Sequence, residues 1–383
     1  MAIEPFRITV PEAVLEDLQQ RLARTRFPDQ VNDGNWSYGT DLAYLQELIE
    51  YWRTTYDWRA AERALNQFRQ FRTVVDGLGL HFIHQPGVGP NPLPLLISHG
   101  WPGSIVEFTK IIGPLTDPAR YGGDPADAFD VVAPSLPGYG FSDHARGPGM
   151  HPGAIADLFA GLMQQLGYQR FGAQGGDWGA MISTCLGRQY PARLIGVHLN
   201  MVLAFPPDEA NPTAGLSERE MVALMEMERF KQEETGYQSI QGTKPQTLGY
   251  ALNDSPAGLA AWIVEKFRTW TDCHGDLESR ISKDELLTNI TLYWVTETAT
   301  SSARLYREAM QQGWFPPRGF RIEVPTGCAI FPRELFRPPR AWVENSFNVQ
   351  HWAEYPAGGH FAAMEEPEAL VGDIRTFFRP LRT

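Results

Sequence analysis

The spacing of apolar positions changes character near residue 75 and again near residue 200. Behind Val10-Pro11-Glu12, Val14, Leu15, Leu18 and Leu22 fall on one helical face. Leu42, Leu45, Leu48 and Ile49 repeat that spacing before Trp52, Tyr56 and Trp58. Residues 1–75 therefore read as a mostly helical N-terminal meander whose aromatic rings pack it against a larger body. Strand-length runs come next. Residues 73–77 and 80–84 look like a hairpin, and 93–98, 129–133, 170–174 and 194–199 alternate with helix-length segments. Short apolar strands alternating with helices predict an α/β chain with a mainly parallel sheet covered on both faces.

From 201 to 317 the pattern is almost wholly helical, as over 218–232, 257–272 and 283–312. Strands return at 323–331 and 349–355, and a helix over 367–378 closes the chain. The expected architecture has eight strands, in a core of residues 76–200 and 318–383. A helical lid, 201–317, is inserted between strands six and seven, where it can cover the sheet edge. Ala204-Phe205-Pro206-Pro207 and Trp314-Phe315-Pro316-Pro317 mark its borders.

Composition narrows the partners. The 383 residues are 43% hydrophobic, enough for one large core with accessory pieces. A formal charge of −12 argues against nucleic acid or anionic membrane as a partner. Cys185, Cys273 and Cys328 are too few and too scattered for a disulfide framework or a zinc site, which fits a reducing cytoplasm. Met1-Ala2-Ile3-Glu4-Pro5-Phe6 lacks the basic and apolar regions of a signal peptide, and no uncharged apolar run reaches the ~18 residues of a membrane span. There is no internal repeat.

The chemistry concentrates at Gly175-Gly176-Asp177-Trp178-Gly179, between the strand 170–174 and a helical run from Ala180 to Gln189. Small residues flank a central side chain at the spacing of a nucleophile elbow, where backbones approach too closely for larger neighbours. The helix that starts there favours negative charge at its N-terminus. Serine at the centre would suggest acyl transfer; aspartate suggests a carboxylate attacking an alkyl carbon. A Gly-rich turn with Asp as a helix cap is the plainer alternative. Two further candidates follow later strands: Glu334 in Phe331-Pro332-Arg333-Glu334 and His360 in Gly358-Gly359-His360-Phe361. The order nucleophile, acid, histidine is that of α/β-hydrolases. Taken singly, Glu334 is a surface carboxylate and His360 a turn histidine; together at strand ends they make a triad. His99-Gly100-Trp101-Pro102 follows the third strand, where an oxyanion hole takes one backbone N–H, from Trp101. Trp178, directly after Asp177, supplies the other, and both indoles are candidates to line the substrate pocket. Pro102 restricts Trp101 and suits a cis bond, and His99 is expected to support the loop.

These motifs together make the chain resemble the epoxide hydrolase family of α/β-hydrolases, in its microsomal type with a meander before the core. The resemblance covers nearly the whole chain and extends to Thr235-Gly236-Tyr237 and Arg304-Leu305-Tyr306-Arg307-Glu308. It implies that Tyr237 and Tyr306 hydrogen-bond an epoxide oxygen. It departs at the N-terminus, where mammalian microsomal members carry a membrane anchor; a soluble, bacterial-type, cytoplasmic member is expected. The partner is then a small-molecule epoxide, with no nucleic acid, no metal and no organic cofactor, and a homo-oligomer stays open. Two other readings share parts of the pattern. A haloalkane or haloacid dehalogenase has the same Asp nucleophile but needs no proton donor for its halide. A non-catalytic ligand-binding homologue has no use for an intact triad.

Overall fold

The computed structural model describes residues 2–31, 36–208, 210–312 and 319–382. Its strands in chain order are β1 (Glu4–Phe6), β2 (Gln70–Val75), β3 (Leu78–Gln85), β4 (Leu93–Ser98), β5 (Phe129–Pro134), β6 (Phe171–Gly175), β7 (Leu194–Leu199), β8 (Ile322–Ile330) and β9 (Phe347–Glu354). Among the described residues they form one nine-stranded sheet in the order β1-β2-β3-β5-β4-β6-β7-β8-β9. Pairing is antiparallel from β1 through β5 by way of β2 and β3, and parallel from there on.

The middle strands read as near-continuous apolar runs because both of their faces are covered. Alternate residues go to different cores. Leu96, Val132, Ala173 and Val197 pack with Ile155, Phe159, Leu162, Ile182 and Leu186 from the helices Pro152–Gln165 and Asp177–Gln189. Leu95, Ile97, Val131 and Ala133 pack on the other side with Ile112, Leu115, Leu370, Ile374 and Phe378. This is the α/β-hydrolase fold that the strand and helix pattern predicts.

Three details differ from the sequence expectation. The sheet has nine strands, not eight, because Glu4–Phe6 adds an edge strand to β2. It is three residues long and centred on a proline, which an edge tolerates and a pattern search passes over. The lid consequently falls between the seventh and eighth strands. The helix expected over 283–312 is two, Lys283–Val295 and Ala299–Gln312. Glu297 between them takes φ 55°, and the Thr298 N–H folds back onto Tyr293 O; no glycine or proline marks the break. The border motif Trp314-Phe315-Pro316-Pro317 lies outside the described residues.

The N-terminal helices Glu12–Ala23, Leu42–Thr54 and Trp58–Leu65 hold the lid as well as the core. Arg21 bonds Asp254, Thr40 donates to Ala261 O, Tyr51 donates to Asp284, and Tyr56 meets the Thr288 hydroxyl. The meander thus fixes the lid helices Pro256–Trp270 and Lys283–Val295 from outside.

Candidate active site

β6 ends at Gly175 and the next helix begins at Asp177, which takes φ 47°. That left-handed backbone is uncommon for a residue with a side chain and persists only where surroundings enforce it. Here they do. A Cβ at Gly175 would meet the Gly179 carbonyl carbon at 2.2 Å, and one at Gly179 would meet Ser98 O at 1.8 Å. Both are backbone atoms that cannot step aside. Gly179→Ala is therefore expected to cost about 3 kcal/mol of stability, the upper range of overpacking, read as a lower denaturation midpoint at unchanged slope.

The turn presents the Asp177 carboxylate to two groups. The Trp101 N–H donates to Oδ1 at 2.8 Å, from the loop after β4. A Cβ at Gly100 would fall 2.0 Å from that same oxygen, which is why a glycine precedes Trp101. His360 Nε2 stands 3.4 Å from Oδ2, and Nδ1 of the same ring is 2.7 Å from Glu334 Oε1. The Leu335 N–H also donates to Glu334 Oε1, at 2.6 Å. Of the three side chains only Asp177 is open, 18% exposed against 2% for His360 and 1% for Glu334. The carboxylate that can meet a ligand is thus the one on the elbow. Burial of the His360 ring disfavours its charge, but Glu334 and Asp177 outweigh that and hold the imidazole well above its ordinary pKa.

The loop before Trp101 is locked by His99. Its ring accepts the Leu136 N–H at 3.2 Å and bonds Gly100 O at 3.0 Å, and burial lowers its pKa to about 4, so it is neutral. The Trp101–Pro102 peptide is cis.

Tyr237 and Tyr306 come from two different lid helices, Gly236–Thr243 and Ala299–Gln312, and are both buried. The Trp101 ring stacks on Tyr237 at 5.2 Å and meets Tyr306 edge-on at 5.7 Å, while Trp178 meets Tyr306 edge-on at 4.8 Å. Gln238 Nε2 donates to Tyr237 Oη at 2.9 Å. Burial above all, with the Asp177 charge adding to it, holds both phenols well above their ordinary pKa, so they keep their protons. All seven residues singled out in the sequence are therefore gathered at the elbow: the triad in hydrogen-bonding reach, Trp101 N–H on the carboxylate, and Trp178 and the two phenols in one aromatic wall.

Sequence reasoning misses the residues that complete that wall and anchor it. Trp270, at the end of the helix Pro256–Trp270, lies edge-on to His360 at 5.1 Å and 5.3 Å from Tyr237. Its carbonyl accepts the His360 N–H at 3.0 Å. Asp272 accepts the Gly358 N–H, and the buried Glu365 accepts the N–H groups of both Asp272 and Phe361. No local spacing links Trp270 to a turn some ninety positions later; only the fold does.

Comparison with known proteins settles the family. Residues 3–108 match the family model described as epoxide hydrolase N terminus, and residues 94–271 match the alpha/beta hydrolase fold. Epoxide hydrolase 1 of Sus scrofa is 42% identical over 401 residues, covering 98% of this chain and 88% of its own. The crystal structure of juvenile hormone epoxide hydrolase from the silkworm Bombyx mori superposes with a TM-score of 0.90 at 34% identity, covering 100% of this chain and 95% of that one. The chain belongs to the epoxide hydrolase family. The structure of Aspergillus niger epoxide hydrolase is a further neighbour, with a TM-score of 0.88, 30% identity, and cover of 100% of this chain and 97% of that one. In this epoxide hydrolase no described helix is long and apolar enough to cross a membrane.

Proposed function

We propose that this epoxide hydrolase converts a small-molecule epoxide and water to a vicinal diol by way of an ester on Asp177. One observation supports this most: an open carboxylate on a strained elbow meets a carboxylate-paired histidine, and two protonated phenols pack on the indoles of Trp101 and Trp178 that flank it. Asp177 attacks an oxirane carbon from the side opposite the C–O bond that breaks. Tyr237 and Tyr306 hydrogen-bond the departing oxygen and supply its proton. Once Asp177 is an ester it no longer carries the charge that helped to hold a proton on His360. That proton passes to the phenolate left by ring opening, and the neutral ring, oriented by Glu334, then deprotonates water, which attacks the ester carbonyl. The Trp101 N–H, with that of Trp178, stabilises the resulting oxyanion on Asp177. Departure of a halide needs no proton, so the paired phenols favour an epoxide over a haloalkane.

His360→Gln tests the sequence of steps. Mixed with styrene oxide, the variant should form the ester and stall. Intact mass should rise by one substrate equivalent, on the peptide that carries Asp177. An adduct on another peptide, or none despite demonstrated binding, would point to direct attack by water or to another nucleophile.

A further inference from the structure

The two lid phenols are not held alike. Lys266, on the helix Pro256–Trp270, is buried, and a lysine is almost never buried without a partner. It pairs with the neighbouring Glu265, and its Nζ lies over the Tyr237 ring, 4.8 Å from the centroid. Gln238 meets the same phenol from another direction, its Nε2 donating to Oη at 2.9 Å. That bond occupies a lone pair of the hydroxyl and leaves its proton free for a different acceptor.

The surroundings therefore act unequally on the two hydroxyls. On Tyr237, burial and the Asp177 charge favour the protonated form, while Gln238 and the Tyr306 hydroxyl pull toward the phenolate. On Tyr306, burial, Tyr237, Asp177 and Tyr139 all hold the proton in place. A phenolate spreads its charge into the ring, so a cation over the ring binds it more strongly than it binds the phenol. Glu265 works against this on Tyr237. Its side chain is 21% exposed against 7% for Lys266, so water screens the carboxylate more than the ammonium.

We propose that Lys266 and Gln238 make Tyr237, rather than Tyr306, the phenol that gives its proton to the epoxide oxygen, by holding the negative charge left behind. This rests on the ester reading above. As an Asp177 oxygen bonds the oxirane carbon and the C–O bond breaks, the departing oxygen takes the Tyr237 proton. Tyr237 is left as a phenolate under Lys266 until the proton released by His360 restores the phenol. Tyr306 donates a hydrogen bond and keeps its proton throughout. Lys266 and Gln238 touch no substrate; they act through Tyr237. Lys266 also stands one helical turn before Trp270, whose carbonyl anchors His360. A lysine that merely props up the lid would therefore be felt in both half-reactions.

Single-turnover kinetics with styrene oxide separates the two roles, using tryptophan fluorescence for ester formation and quenched-sample mass spectrometry for its decay. In Lys266→Met, alkylation should fall roughly 10- to 30-fold, the rate equivalent of a desolvated cation over a ring. Ester hydrolysis should stay within about threefold of wild type, and Lys266→Arg, which keeps the charge, should recover most of the alkylation rate. Gln238→Leu should slow alkylation roughly 3- to 10-fold, the equivalent of one neutral hydrogen bond, and it carries the test where the lysine variants fail to fold. Each substitution is repeated in Tyr237→Phe and in Tyr306→Phe. Its cost should vanish in the first background and persist in the second. Alkylation at the wild-type rate, equal loss in both half-reactions, or a cost that persists in Tyr237→Phe would overturn the assignment. Absence of any Asp177 adduct in wild type and in His360→Gln would instead overturn the ester reading beneath it.

Discussion

Asp177→Asn should reduce turnover of styrene oxide by roughly 10⁴-fold or more, in the range seen when a nucleophile is removed from a catalytic set that acts as a unit. The amide is nearly the size of the carboxylate, and the left-handed backbone at φ 47° suits asparagine as well as aspartate. The fold should therefore survive, with a melting temperature close to that of wild type. The Trp101 N–H, which donates to Oδ1, can still be accepted by the amide oxygen. What is lost is the charge and the lone pair that attacks carbon. Slow deamidation would regenerate aspartate, so rates belong on fresh protein of confirmed mass. Undiminished activity under those conditions would remove Asp177 from the nucleophile role.

The second large effect is expected from the phenols. Tyr237→Phe and Tyr306→Phe should each slow alkylation, and the double variant should nearly stop ring opening. Losing one donor to a developing oxyanion typically costs about 2.7–4 kcal/mol, or roughly 10²–10³ in rate. With the rings left in place, the stack of Trp101 on Tyr237 and the edge contact of Trp178 with Tyr306 are retained, so the change isolates the hydroxyls. The single variants can be buffered by the remaining phenol, which makes the double variant the cleaner measurement. Pre-steady-state fluorescence on ester formation gives the rate directly. Alkylation by the double variant at the wild-type rate would make the phenols structural and leave ring opening without its acid.

What the sequence discloses here is what short range determines. Gly175 to Gly179 and His99 to Pro102 are legible because steric limits between adjacent backbones restrict which residues fit, and those limits act over four or five positions. The middle strands are legible because covering both faces demands apolar residues at nearly every position. Glu4–Phe6 escapes because an edge strand of three residues needs neither alternation nor length. The break at Glu297 escapes because nothing local requires it; packing of the two lid helices on different neighbours decides it. Tyr237 and Tyr306 are two of 13 tyrosines, and only resemblance picks them out. Trp270 and Glu365 are silent in the sequence for a different reason: each matters through a partner brought close by the fold, and a carboxylate under a turn reads like any other carboxylate.

The bonds between Trp270, Asp272, Glu365 and the His360 turn bear on how a bulky substrate reaches the elbow. The half of the lid that contains Pro256–Trp270 is fastened to the catalytic turn on one side and to the N-terminal helices on the other. Swinging it outward would drag the base away from Asp177. The helix Glu218–Glu233 buries only Ala223 and Phe230, yet it is tied to the same groups: Phe230 meets Trp270 and Phe336 edge-on, and Glu226 pairs with Arg337, just past Glu334. The catalytic base is therefore held in register with Asp177 from both sides of the lid, and a substitution that loosens either fastening moves the proton-handling groups with it.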